Sequence, residues 1–298
     1  MSSMVETKLR SYRRQRVERL EALRRIPRYL RAVLTFLSYV IGIVAILPIV
    51  WTLSLSIRTN EDVFSNRLMP HTFHPYNFFK AWQEFHLGVL FAHSAIITVG
   101  TVVLACGLSV MAAYGFSRYR TRLSEALFIL ILTGLMIPPA AIILPFFLTM
   151  KDFHLYNSLF AVIIGESAFA LPFGVLVLRG YIDNVPRELT DAALVDGATD
   201  WKAFWYVVLP LLRPGLATAA LFTTISTWNG FLIPLVLLSN STNATITVGL
   251  QPLNGEFGNL SLELMSAAAV LAILPILVVF LVARRYYVQG LSAGAIKA

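Results

Sequence analysis

Six apolar runs, at roughly 33–57, 89–115, 125–149, 157–179, 208–238 and 264–284, constrain this chain more than any other feature. A helix needs about 20 mostly apolar residues to cross the hydrocarbon core of a bilayer, and only internally hydrogen-bonded segments survive there. Each run is long enough. The chain therefore reads as an all-α, polytopic membrane protein with six transmembrane helices. Its composition agrees: 57% of residues are hydrophobic and 13% are charged, against about 25% charged in soluble domains. The fifth run is too long for one straight span. Pro210, Arg213 and Pro214 interrupt its first turns, so it is expected to begin as an interfacial segment. Prolines also fall within or beside most other runs, at Pro48, Pro138, Pro139, Pro145, Pro172, Pro234 and Pro275, and permit kinks.

The net charge of +8 suggests nucleic acid only until the charges are placed. Of the 24 Lys and Arg residues, 20 fall on one side of the six runs. Ten precede the first run, and Arg118, Arg120 and Arg122 join the second to the third. Arg179, Arg187, Lys202 and Arg213 surround the fourth connection, and Arg284, Arg285 and Lys297 close the chain. The opposite side has Arg58, Arg67, Lys80 and Lys151. Positive residues concentrate on the cytoplasmic side of membrane proteins. Both termini and the segment 186–210 are thus expected in the cytoplasm, and the charge calls for lipid headgroups rather than nucleic acid. Residues 8–31 place Leu9, Val17, Leu20, Leu23, Ile26 and Leu30 near helical spacing among ten cations, the pattern of an amphipathic helix on anionic lipid. The first run lacks the short apolar core and cleavage pattern of a signal peptide and is expected to remain as a span.

Several chemistries have no support. No nucleophile–base set or catalytic carboxylate pair is present, and no G-x-x-x-x-G-K-[ST] loop exists to cradle nucleotide phosphates. An enzyme is not expected. His71, His74 and His86 lack the acid or thiolate that would complete a metal site, and no metal is expected. Cys106 stands alone inside an apolar run as a small packing residue.

The polar segment 186–210 has an internal design. Pro186 suits the start of a helix, and Glu188 and Asp191 favour its positive end. Leu189, Ala192, Ala193 and Asp196 are spaced to share one face. Two methyl side chains make that face flat, so another backbone can approach it closely. Gly197 is placed to end the helix in the left-handed conformation. Thr199 or Asp200 can cap a second short helix through Trp201 and Phe204, and Val207, Leu209 and Pro210 lead back to the membrane. The residues alone fit a helix–turn–helix on the membrane surface, either an ordinary interfacial hairpin or a docking element.

Asp191-Ala192-Ala193, then Gly197, then Val207-x-Leu209-Pro210 resembles, in every spacing, the EAA…G…I-x-L-P loop of ABC importer permeases. Aspartate stands here for the usual glutamate and valine for isoleucine. The resemblance extends over nearly the whole chain. Asp196-Gly197-Ala198-Thr199 is similar to the D-G-A-S/T run of sugar importer permeases. Trp228-Asn229 with Phe231 and Pro234 is similar to their fifth-span W-N-x-F-x-x-P. Residues 285–297 are similar to their R-Y-F-V-x-G-L…G-A-V-K tail, with Arg284 where the family usually has glutamine. In particular the chain resembles the six-span partner of the maltose-transporter type.

This resemblance implies the type I ABC importer permease fold and a subunit that forms half of a sugar or oligosaccharide pathway in the bacterial inner membrane. The expected divisions are a cytoplasmic basic amphipathic segment over 1–32, a six-helix permease domain over 33–284 with the cytoplasmic coupling loop 186–210, and a cytoplasmic tail over 285–298. The implied partners are a second permease, two ATP-binding subunits and an extracytoplasmic solute-binding protein. This chain would bind no cofactor, with ATP and Mg held by the partner ATPase. The loop 186–210 would insert into a cleft on that ATPase. Ala192 and Ala193 would allow close approach, Asp191 would meet a basic group, Gly197 would set the turn beside Asp196, and Leu209-Pro210 would tie the loop to the fifth span. The external stretch 239–262, rich in Asn, Ser, Thr and Gly, would face the binding protein.

Within the membrane, ionisable groups are costly and draw attention. Glu166 falls about nine residues into the fourth run, roughly 14 Å by helical rise. It suits either a hydrogen bond to a polar solute or a structural one. His93 in the second run is a weaker candidate of the same kind. Trp228 offers an indole face for the C–H surface of a sugar ring, and Asn229 offers an amide for hydroxyls. Both equally suit a buried tryptophan beside a helix-joining asparagine. Two other readings stay open: a stand-alone secondary transporter, which calls for ion-coupling charges within the spans, and an importer subunit for a polyol phosphate, which calls for a cation deep in the pathway.

Overall fold

The computed structural model describes residues 27–64, 73–238, 243–251 and 261–295. The basic segment 8–31 up to residue 26, His71, residues 239–242 and 252–260 of the external stretch, and the last three residues lie outside them. The described residues are helical, with no strand among them, and they divide into two compact units at 54/55.

Helix α1 (Arg28–Ser56) carries the first run. Through residue 54 its large apolar side chains are exposed on all faces. A helix that is apolar all round and carries no core of its own suits lipid or another membrane helix.

In the second unit a four-residue helical turn, Asn60–Val63, precedes the short α2 (Tyr76–Glu84) and the long α3 (Leu87–Arg118). Next come α4 (Arg122–Thr133), α5 (Pro139–Asp152) and α6 (Leu159–Ile182). The polar connection holds α7 (Arg187–Val195). It is followed by α8 (Arg213–Trp228), α9 (Leu232–Leu237) and α10 (Leu262–Ala295). Among the described residues four helices, α1, α3, α6 and α10, are each long and apolar enough to cross a membrane, and two bent helix pairs pass the same test together. Counted as one span each, the pairs bring the total to the six expected from the sequence.

Two of the runs are sharply bent, at positions where the sequence places prolines. Arg122–Met136 meets Pro139–Asp152 at 103°, where one span over 125–149 was expected. The cause is the Pro138-Pro139 pair. A proline disfavours helical geometry in the residue before it, and both Ile137 and Pro138 are accordingly extended, with ψ of 115° and 133°. In the fifth run, Asp200–Leu211 meets α8 at 73°. Its entry is bent as Pro210 and Pro214 lead one to expect. A second break follows at Asn229–Gly230, before α9. The last helix continues to Ala295, through the stretch expected as a tail.

Helices α3 and α6 make the most extensive contact. A β-carbon built on Gly174 would collide with the hydroxyl oxygen of Ser109, and that hydroxyl donates to the Leu171 carbonyl at 3.2 Å. Small residues and short polar side chains bring membrane helices together in this way, because lipid supplies no hydrophobic drive between them. Three cores follow one another along α3. The first surrounds Leu87, Leu90 and Trp228, and the second surrounds Ile97, Val162 and Ile233. The third joins Val110, Ala113, Leu178 and Phe204 beneath the loop after α6.

Candidate functional site: the polar loop and the fifth-span break

The polar loop folds as its residues dictate. Pro186 immediately precedes α7, which buries only Thr190. Gly197 has φ of +85°. Its N–H donates to the Leu194 carbonyl at 3.0 Å, and the Ala198 N–H reaches the Ala193 carbonyl at 3.0 Å. These paired bonds are the glycine-terminated helix end, and a β-carbon in that conformation would be strained. Of the two possible caps for the next helix, Thr199 acts: its hydroxyl accepts from the Lys202 N–H at 3.3 Å. That helix, Asp200–Ala203, continues into a wider turn, Phe204–Val208, and then Leu209–Leu211. Phe204 and Val208 face inward, while Trp205 and Tyr206 are exposed.

Asp191, Ala192, Asp196, Gly197 and Pro210 are exposed, and Ala193 and Leu209 are half-buried. The flat alanine face is thus open at its Ala192 end. Leu189, Val195 and Trp201 add exposed apolar surface around it.

Three groups not singled out in the sequence hold this loop. Arg118, the last residue of α3, makes ion pairs with Asp191 at 3.5 Å and with Asp200 at 3.5 Å. Asp183, just after α6, accepts from the Ser117 hydroxyl at 2.7 Å and from Arg120 at 2.6 Å. Burial pushes the Asp183 carboxyl up, but the Ser117 hydrogen bond and the Arg120 and Arg179 cations outweigh it and hold it below the usual carboxylate range. Arg179 also pairs with Glu125 of α4 and lies 4.0 Å from the Phe128 ring centroid. Sequence spacing gave one signal for these residues, the run of three alternate arginines at 118–122. It could be read only as topology.

The membrane candidates gather at the second break of the fifth span. Glu166 on α6 approaches Gly230 so closely that a β-carbon there would lie 2.6 Å from its Oε1. The Gly230 carbonyl accepts from the Thr247 hydroxyl at 2.6 Å. Asn229, beside it, is exposed, and its amide donates to the Ile225 carbonyl of its own helix at 2.8 Å. Trp228 is 8% exposed. Its ring tilts against Phe91, and its indole N–H donates to the Ala272 carbonyl of α10 at 3.1 Å. Glu166 and Asn229 therefore flank one break, whereas Trp228 faces into the core. The Nδ1 of His93 lies 3.3 Å from the Ala244 carbonyl, a local partner. His74 and His86 join no group of three metal-binding side chains among the described residues.

The sequence and this architecture match known proteins. Residues 105–293 match the model of the family described as "Binding-protein-dependent transport system inner membrane component". The chain is 31% identical over 260 residues to the probable ABC transporter permease protein YurM of Bacillus subtilis (strain 168), covering 86% of this chain and 85% of that protein. It is 32% identical over 252 residues to the melibiose/raffinose/stachyose import permease protein MelC of the same organism, covering 84% and 91%. A solved chain of a bacterial ABC transporter involved in the import of the acidic polysaccharide alginate superposes with a TM-score of 0.78 at 27% identity. That likeness covers 88% of this chain and 98% of the other. With its apolar helices and these likenesses, the chain belongs to the family of binding-protein-dependent transport system inner membrane components, as a membrane permease subunit of an ABC importer.

Proposed function

We propose that this permease forms half of a translocation pathway for a neutral sugar or oligosaccharide, and that it is driven by a separate ATPase through the loop 186–210. The observation that carries this reading is the loop itself. A helix face open at Ala192 is closed by a left-handed Gly197 and joined to the fifth span through Leu209 and Pro210. A stand-alone transporter has no use for such a surface. The assembly is completed by a second permease, two ATP-binding subunits that carry ATP and Mg, and an extracytoplasmic binding protein. The termini and the loop lie in the cytoplasm of a bacterial cell, on the side of the 20 basic residues. The domain limits follow as 1–32, 33–284 and 285–298.

A neutral carbohydrate is favoured on two grounds. The curated relatives include a melibiose, raffinose and stachyose importer. The middles of the spans carry no Lys or Arg to meet an anion, and Glu166 stands at the fifth-span break. Asn229 and Glu166 offer hydrogen bonds to hydroxyls there, and Trp228 positions that segment from behind.

Reconstitution of the whole importer in vesicles tests the proposal. Uptake of labelled raffinose or maltotriose should require ATP, the ATPase and the binding protein together, and glycerol 3-phosphate should be refused. Uptake by this chain alone under an ion gradient would refute it.

A further inference from the structure

The helix that bears Ala192 and Ala193 is poorly anchored by packing. Thr190 is the single buried residue of α7. Beneath the helix lies a cleft of about 60 Å³, lined by Tyr114, Arg120, Thr190 and Val208 among others. A helix so placed needs something other than a core to fix its direction. The end of the second span supplies it. Ser117 and Arg120 hold Asp183 before α7, while Arg118 holds Asp191 on α7 and Asp200 after the turn at Gly197. One turn earlier in α3, Tyr114 lies 4.8 Å from Phe204 between ring centroids. Three acids, spread over 18 positions of sequence from Asp183 to Asp200, thus converge on three residues, Ser117, Arg118 and Arg120.

We propose that Arg118 is a positioning residue for coupling: its guanidinium bridges the two arms of the loop and fixes the pose in which α7 meets the ATPase. This rests on the function proposed above. A planar guanidinium can address two carboxylates at once, which a lysine ammonium does less rigidly. The pairs at 3.5 Å are part-exposed and individually weak. Together they bridge elements on both sides of a glycine turn, so losing the cation frees both. Asp191 stays well exposed while paired, and the same carboxylate remains open to an incoming cation of the ATPase. On this view the second span, as well as the fifth, receives the motion of the loop.

Two measurements test it. In the intact chain in lipid nanodiscs, backbone amides over 187–203 should exchange about threefold to tenfold faster in Arg118→Gln than in the unaltered protein, with Arg118→Lys between them. Asp191→Asn should loosen the same amides, and the double variant should add little to Arg118→Gln. In the reconstituted importer, Arg118→Gln should lower the solute moved per ATP hydrolysed severalfold, while the ATPase co-purifies in unaltered yield, and Arg118→Lys should restore much of the ratio. Unchanged exchange would overturn the proposal. So would faster exchange with an unchanged transport-to-hydrolysis ratio, which would leave Arg118 a local brace. If the unaltered importer shows no ATP-linked uptake, the functional reading fails instead, and the exchange experiment still decides whether Arg118 grips the loop.

Discussion

Glu166 of α6 and Gly230 of the fifth span meet so closely that no β-carbon fits between them: one built on Gly230 would lie 2.6 Å from Glu166 Oε1 and 2.9 Å from the Thr227 carbonyl oxygen. The carboxyl group lies directly over the break between α8 and α9. Gly230→Ala should therefore cost about 1–3 kcal/mol through overpacking, read as a lower melting temperature of the purified chain. Glu166→Ala added to Gly230→Ala should recover only part of that loss, because the backbone contact with Thr227 remains. Full recovery would show that the side chain alone sets the constraint.

Trp228 gives a second test. Trp228→Phe keeps a ring against Phe91 and removes the N–H that serves the Ala272 carbonyl. The expected loss is about 0.5–1.5 kcal/mol, that of one hydrogen bond. Trp228→Ala should cost about 3–5 kcal/mol. Because the ring faces the core, uptake by the Phe variant, measured at a temperature where it is folded, should stay close to that of the unaltered importer.

On the loop, Ala193→Trp should abolish ATP-driven uptake while leaving the melting temperature of the isolated chain almost unaltered, since Ala193 is only half-buried. A bulky ring there overfills any close-fitting socket. Gly197→Ala is the milder companion. Its φ of +85° costs a side chain about 1 kcal/mol, and partial uptake should survive. Transport assays beside thermal melts separate the two.

Asp183 titrates below the usual carboxylate range because Ser117, Arg120 and Arg179 stabilise its charge against the effect of burial. A carboxyl depressed in the folded state adds stability that is present above its unfolded value, about 3.9, and is lost as pH falls through the folded one. Asp183→Asn should therefore lower the melting temperature at pH 7 only modestly, by the equivalent of less than about 1 kcal/mol, because these pairs are part-exposed and screened by solvent. The difference from the unaltered chain should shrink as pH falls below 4. A gap of constant size down to pH 3 would show that charge is not the cause.

Much of this was legible in residue order because membrane and loop chemistry are local. Apolar run length located the spans, Pro210 and Pro214 announced the bent entry to the fifth, and Gly197 announced the end of α7. The right-angle turn at Pro138 was half legible. The proline pair marked a disruption, but the angle depends on what the two arms pack against. Trp228 and Asn229 could not be told apart in role from sequence, since adjacent residues on a helix point about 100° apart and only the neighbours decide which faces a core. The grip of Ser117, Arg118 and Arg120 on three distant acids was invisible for a similar reason. Each partner is a common surface residue, and the pairing exists only once α3, α6 and the loop are assembled.

The two breaks of the fifth span, at Leu212 and at Gly230, leave α8 between them as a stiff rod of 16 residues, about 24 Å long at 1.5 Å per residue. One end joins the loop through Leu209 and Pro210, and the other abuts Glu166. A rod hinged at both ends is a lever arm: a tilt of about 10° at the loop would sweep Asn229 through about 4 Å, close to the width of a hydroxyl group and its hydrogen bond. The same geometry would carry force backwards, so a solute lodged at the break would be felt at the loop.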